Sequence, residues 1–301
     1  MNITEENGRI VVEGIRDFHL DHTFDNGQCF RWNREDDGSY TGVAFGRAVN
    51  IDYKDGALIL DNVPREDFCQ IWKGYLDLER DYGALKRMFA EKDPAMAAAV
   101  SSGGGMRILR QEKWETLISF ILSQNNNIVR IKKCVESLCA AHGKPVGTYR
   151  GRMRYAFPSP EALAGLGPGE LDTCRLGYRA NYIAETAKQI AADGGKALES
   201  LGGASAEAAY GYLLALSGVG PKVAHCVMLF SMGKYASFPL DVWIKRVMSQ
   251  IYQIGEGDLK AMREFAAGHF GEYGGIAQQY LFYYARNKWT KEKETAETAA
   301  G

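Results

Sequence analysis

Long apolar runs are missing from this 301-residue chain. None approaches the roughly 20 residues needed to cross a bilayer, which excludes a helical membrane span. Cysteine is sparse, six in all, and no Cys-x-x-Cys or His-x-x-x-His spacing occurs. That argues against a disulfide scaffold and against a structural zinc site. Cys134 and Cys139, the closest pair, lie five apart and point to different sides of a helix. Met1 to Ile10 is polar and acidic, without the basic and apolar regions of a secretory signal, so a reducing cytosol is the simplest compartment. Net charge is also nearly absent, at −1. Taken alone, this would count against a nucleic-acid partner.

What is present changes that reading. Residues 1–100 carry 12 basic against 19 acidic side chains, 101–190 carry 13 against 7, and 191–301 carry 11 against 11. A basic middle segment can attract phosphates while the whole chain stays near neutral. Hydrophobic content of 46% and charged content of 24% are those of a globular protein with a sizeable core.

The first hundred residues read mainly as strands: Arg9 to Ile15, Phe30 to Arg34, Tyr40 to Phe45, Ala48 to Tyr53 and Ala57 to Val63. Asp55-Gly56 between the last two marks a hairpin, because a type I′ turn needs two positive φ angles. A helical stretch is expected over Glu66 to Ala90 and a loop at Ser101 to Gly105. Beyond it the period becomes helical. Trp114, Leu117, Ile118, Ile121 and Leu122 fall on one face, and the helix should stop near Ser123 to Asn127. Further helices are expected at about 130–141, 179–193, 206–216, 221–232, 241–252, 258–270 and 274–288. The fold class is α+β: an antiparallel β domain with helices over 1–105, an α-helical domain over 106–290, and a disordered tail over 291–301.

Ser217-Gly218-Val219-Gly220 separates two of those helices, and Pro221 opens the second. Glycines permit a tight turn and close approach of backbone to a ligand, and proline suits the first helical position. Hairpin amides at a helix N-terminus form an anion site suited to a DNA phosphate. Gly-x-Gly alone would equally fit a plain αα-turn. Lys222 follows in the first helical turn. An ordinary lysine, with a pKa of about 10.4, is almost wholly ammonium at neutral pH. The positive end of the helix dipole, together with burial, would favour the nucleophilic amine. Asp241, ahead of Val242-Trp243-Ile244, suits an N-cap. A carboxylate there can also stabilise an oxocarbenium-like sugar or assist proton transfer.

Four segments in order now resemble one family: Gly27-Gln28-Cys29-Phe30-Arg31-Trp32, Ser119-Phe120-Ile121 through Asn125-Asn126-Asn127-Ile128 to Arg130, Gly177-Tyr178-Arg179-Ala180, and Gly218-Val219-Gly220-Pro221-Lys222-Val223-Ala224 with Asp241. The chain resembles the 8-oxoguanine DNA glycosylases of the helix–hairpin–helix superfamily over nearly its whole length. The resemblance implies a bifunctional glycosylase/AP lyase acting on double-stranded DNA as a monomer, cytoplasmic and nucleoid-associated in a prokaryote. It implies that Lys222 attacks the sugar C1′ and forms a Schiff base, with Asp241 as the catalytic aspartate. The Gly27 carbonyl would accept the N7 hydrogen of 8-oxoguanine, which normal guanine lacks. Cys226 and Phe282 would sandwich the flipped base, and Gln278 would read its Watson–Crick edge. Asn125 would fill the gap left in the stack, Tyr178 would wedge beside the orphaned cytosine, and Arg130 and Arg179 would read it. Without the resemblance, Cys226 and Phe282 would be core, Asn125 to Asn127 a helix C-cap, and both arginines solvated surface.

The chain departs from the eukaryotic pattern at Trp243, where that branch has a histidine near the damaged nucleotide's phosphate. Tryptophan can stack or donate one hydrogen bond but carries no charge, and it enters here as a contact. With the compact N-terminus and short tail, this points to a bacterial or archaeal member. The four-cysteine iron–sulfur loop of some relatives is missing, so no cofactor is expected. A monovalent cation on the carbonyls of Leu214, Leu216 and Val219 is implied by the resemblance alone. Two rival readings are an alkyl-base glycosylase, which typically does without the lysine, and a DNA-binding module that keeps the hairpin but no chemistry.

Overall fold

The computed structural model describes residues 1–300, with Pro168 and 291–300 described by backbone alone. The expected disordered tail, 291–301, lies outside the fully described residues. Among the described residues no helix is long and apolar enough to cross a membrane.

Strands β1 (Asn2–Glu6), β2 (Arg9–Glu13), β3 (Asn33–Arg34), β4 (Tyr40–Ala44), β5 (Arg47–Lys54) and β6 (Ala57–Asp61) form one antiparallel sheet in the order β1-β2-β6-β5-β4-β3. Ile10 pairs with Leu60 and Val12 with Leu58, and all four are fully buried. Alternate residues of a strand share a face, so this register puts one apolar face into the core. Asp55 and Gly56 have φ of 51° and 77°, the two positive angles expected of the turn. Strand β1 was not expected. Its signal is Asn7-Gly8, with φ of 53° and 75°, the same turn chemistry earlier in the chain. The expected strand from Phe30 shrinks to two residues because Phe30, Arg31 and Trp32 turn inward and are buried.

The single helix expected over Glu66 to Ala90 is broken. Arg65–Asp67, a π-helical turn at Phe68–Trp72 and Lys73–Tyr75 run together, and a new helix covers Tyr82–Ala90. Between them Asp77, buried and at φ 47°, accepts from Arg80, Tyr82 and Arg110, and Asp81 caps the second helix. The break is set by near neighbours, Arg80, Tyr82 and the Asp81 cap, together with one distant group, Arg110. The expected loop at 101–105 is also shorter, since Pro94–Ser102 is helical. Gly105 is required by proximity: a Cβ there would lie 2.4 Å from that of His19.

Helices Lys113–Leu122, Ile128–His142, Arg179–Ala191, Ala206–Leu214, Pro221–Met232, Val242–Gln250, Leu259–Phe270 and Gly274–Ala300 match the expected series within a few residues, apart from the end of the last. A small hairpin, β7 (Pro145–Tyr149) and β8 (Arg152–Tyr155), was not expected. The cores interleave across the expected 105/106 boundary: Tyr82, Leu85, Phe89, Met96 and Ala99 pack in the helical core, and Leu109 in the sheet core. Arg31 fastens the two. It is 2% exposed, pairs with Glu136 at 3.0 Å and Glu115 at 3.6 Å, and donates to the Tyr155 carbonyl. Burial pushes the Glu115 carboxyl up to about 8, against the pull of Arg31.

Candidate active site

The Lys113–Leu122 helix ends where side chains compete for its last carbonyls. Ser123 Oγ donates to the Phe120 carbonyl, Gln124 Nε2 to that of Ile121, and Asn126 Nδ2 to that of Leu122. Asn125 then adopts φ 46°, which asparagine tolerates better than most residues. Asn127 is not a C-cap. It opens the next helix, its Oδ1 accepting from the Arg130 amide at 2.9 Å. Gln124 is a hub: Nε2 also donates to the Gly218 carbonyl at 2.8 Å, joining this loop to the glycine hairpin.

Within that hairpin the two glycines differ. Gly218 has φ 72°, and a Cβ on it would lie 2.6 Å from Cβ of Tyr182. Gly220 has φ −96°, and a Cβ on it would meet nothing within 4 Å. The first is dictated by the fold; the second leaves backbone open to approach. Pro221 occupies the first turn of the helix, followed by Lys222. Lys222 Nζ donates to Ser123 Oγ at 2.8 Å and lies 5.2 Å from the Phe120 ring centroid. Cys226, one turn on, is buried, and burial pushes its thiol up to about 11 against the pull of Lys222.

Asp241 caps the Val242–Gln250 helix, its Oδ1 accepting from the Ile244 amide at 2.8 Å. Burial raises this carboxyl above its ordinary range. The Ile244 amide, the Lys222 side chain and the Trp243 amide pull it back. Cap and chemistry are thus compatible, as the amides fix its orientation.

These groups line one cavity of about 770 Å³. Lys222, Cys226 and Asp241 enter from two helices, and Gln278 and Phe282 from the last helix. Gly27 closes the wall, at φ 83°. A Cβ on it would stand 3.3 Å from Ile128 Cδ1 and 3.6 Å from the Phe282 ring. Its neighbours hold it there. Gln28 donates to the Thr23 and Arg107 carbonyls and accepts from the Leu109 amide, and Gln279 donates to the Asn26 carbonyl. Gln278 is 3% exposed, yet its Oε1 has no hydrogen-bond partner among the described residues. A buried unpaired acceptor costs about 1–3 kcal/mol, a cost that a ligand donor would remove. Asn125 and Trp243 complete the lining, Trp243 stacked on Trp289 at 6.2 Å.

Arg130, Tyr178, Arg179, Gly218 and Gly220 lie outside this lining. Arg130 is exposed, and Tyr178 is 52% exposed. Arg179 corrects the solvated-surface alternative. It is 4% exposed, and its donors go to the carbonyls of Gln124, Asn125 and Leu176. Its guanidinium also stacks on Tyr178, 4.5 Å from the ring centroid. At the hairpin, the Leu216 carbonyl accepts from the Val219 amide at 3.2 Å. Those of Leu214 and Val219 receive no backbone donor among the described residues. Ser123 and Gln124 were not picked out from the sequence. Their signal is their place between Phe120 and Asn125, inside the Ser119 to Arg130 motif.

Two family models divide the chain: 8-oxoguanine DNA glycosylase, N-terminal domain, over residues 10–117, and HhH-GPD superfamily base excision DNA repair protein over residues 118–269. The probable N-glycosylase/DNA lyase of Methanothermobacter thermautotrophicus is 30% identical, covering 90% of this chain and 95% of that one. MBOgg1, solved in complex with a low-affinity DNA ligand, is 46% identical with a TM-score of 0.92, covering 95% of this chain and 98% of that one. The 8-oxoguanine glycosylase/lyase of Clostridium acetobutylicum, solved with double-stranded DNA containing cytosine opposite 8-oxoguanine, is 39% identical with a TM-score of 0.91, covering 96% and 98%. With both models in sequence order and a relative matched along nearly its full length, the chain belongs to the 8-oxoguanine DNA glycosylase family of the HhH-GPD superfamily.

Proposed function

We propose that this protein removes 8-oxoguanine from double-stranded DNA, preferring cytosine opposite the lesion, and then cleaves the strand at the abasic site. The observation that carries this reading is the convergence of Lys222, Asp241, Gly27, Cys226, Gln278 and Phe282 on one cavity from segments far apart in sequence. The hairpin and the unobstructed Gly220 backbone grip phosphate. The damaged nucleotide leaves the stack, at a cost of a few kcal/mol, and its base lies between Cys226 and Phe282. The Gly27 carbonyl accepts N7–H of the lesion and repels the N7 lone pair of guanine. The Gln278 amide reads the Watson–Crick edge.

Lys222 as free amine forms a bond to C1′ while the C1′–N9 bond breaks, its electron pair leaving with the base. The proton lost from nitrogen neutralises that base. Asp241 stabilises the positive charge on the sugar during this step. Ring opening gives the Schiff base, which acidifies C2′–H, and β-elimination expels the 3′ phosphate. Asn125 fills the vacated stack, Tyr178 wedges beside the orphaned cytosine, and Arg130 reads it. Arg179 supports Asn125 through its backbone. Reading cytosine with Arg179 as well requires its present carbonyls to be exchanged for the base. Trp243 contacts the lesion strand by stacking. A monovalent cation on the Leu214, Leu216 and Val219 carbonyls is part of this proposal, as is action as a monomer on the nucleoid.

Borohydride trapping on a duplex with 8-oxoguanine opposite cytosine tests the reading. Wild type should form a covalent complex on damaged DNA only. Lys222→Gln should form none and lose excision by at least about 1,000-fold while still binding the duplex. Base release without trapping would mean a lysine-independent glycosylase.

A further inference from the structure

Ser123 has no role in the reaction described above, yet among the described residues its hydroxyl is the one side-chain group that hydrogen-bonds the amine of Lys222, at 2.8 Å. The two residues come from different helices, 99 positions apart. The Ser123 hydroxyl carries one proton, and that proton is committed to the Phe120 carbonyl at 2.7 Å. Toward Lys222 the oxygen is therefore only an acceptor. It can hold an N–H of either the ammonium or the amine, and it has no proton with which to cap the nitrogen lone pair.

We infer that Ser123 is a positioning residue that holds the Lys222 nitrogen by one N–H and leaves its lone pair free for C1′. The inference rests on the amine-nucleophile reading of Lys222. The Phe120 ring, its centroid 5.2 Å from the nitrogen, restricts where the nitrogen can go, and the carbonyl of the same residue orients the serine. Phe120 and Ser123 thus fix the amine from the end of a helix whose residues from Thr116 to Leu122 are buried. Such support from a rigid element is what a nucleophile needs to reach attack distance reproducibly.

Because Ser123 acts through the amine, it serves both reactions that the amine performs. In single-turnover assays at saturating enzyme, Ser123→Ala should slow 8-oxoguanine release and strand scission at a preformed abasic site by the same factor, about 10-fold. Affinity for a duplex containing a tetrahydrofuran abasic analogue should stay within about 2-fold of wild type. Ser123→Thr, which keeps the hydroxyl, should restore both rates. Ser123→Cys, close in size but a weak acceptor, should reproduce the alanine loss and shows the effect if the alanine variant folds poorly. Unchanged rates in Ser123→Ala and Ser123→Cys would overturn the inference. So would a loss confined to base release, which would assign Ser123 to the base pocket, or a parallel loss of duplex affinity, which would assign it to the DNA face. Trapping by wild type separates the two readings: wild type that releases the lesion but is not trapped removes the amine nucleophile, and this inference with it.

Discussion

The wall of the cavity and its rim are built in opposite ways. Cys226 and Gln278 are each 3% exposed, on helices otherwise packed into the core. Asn125, Arg130 and Tyr178 stand in solvent on a loop and two helix starts. Groups that touch the reacting base need fixed geometry, which buried helices supply. Groups that enter a duplex must protrude from the surface that meets it. The rim is not loose for that reason. A single buried guanidinium, Arg179, ties its carbonyls from beneath, and Gln124 ties it to the hairpin. Protruding readers therefore rest on a buried support.

The sharpest way to break this contrast is to remove the support and leave the readers. Arg179→Ala should cost about 2–3 kcal/mol by urea unfolding, since three carbonyls lose their donor, and should slow excision by about 100-fold through misplacement of Asn125. Arg179→Lys should not rescue it, because an ammonium cannot reproduce the fork. Unchanged stability would show that the loop stands without this tie. The hairpin offers the next test. Gly218→Ala should cost about 2 kcal/mol, from its positive φ and the Tyr182 contact, and should weaken DNA binding. Gly220→Ala should leave the melting temperature in place, so any loss of affinity in a duplex-binding titration reports ligand approach alone.

On the rim itself, Arg130→Ala should change stability by no more than about 0.5 kcal/mol and reduce the preference for cytosine by about 10-fold, read as excision opposite each of the four bases. Loss of folding instead would make Arg130 part of the support. The smallest effect on catalysis belongs to the joint between sheet and helices, where the test is one of stability. The Glu115 carboxyl is held near 8 in the fold, against an ordinary value of 4.5. Between those values the unfolded chain has lost its proton and the fold has kept it, so wild-type stability falls as pH rises through that window. Glu115→Gln lacks this loss. Its melting temperature should gain on wild type by a few degrees from about pH 5 to pH 8. A constant difference would mean that Arg31 keeps Glu115 ionised throughout.

Much of this was legible before the structure. Asp55-Gly56 and the period of Trp114 to Leu122 each specify a local conformation by their own sterics, and both elements were read correctly. So was the start of the Pro221 helix. Asn7-Gly8 carries the same turn chemistry as Asp55-Gly56 and joins β1 to β2. The break at Asp77 was legible only in part: Asp81 caps the new helix locally, but one of the donors that hold Asp77, Arg110, is 33 residues away. The burial of Arg179 was not legible, since it looks like any helix-start arginine until the carbonyls 54 and 55 positions back are folded against it.

The sequence by itself determined the Asp55-Gly56 turn, the start of the Pro221 helix, that a glycine hairpin precedes a lysine, and that Lys222 and Cys226 share one helix face. These follow from backbone sterics and helical period, which act over a few residues. Only the tertiary structure decided that Gly27 meets Phe282, that Ser123 meets Lys222, and that Gln124 joins the gap loop to the hairpin. Each of these contacts links segments about 90 or more residues apart, and such contacts are fixed only by the packing of the core as a whole.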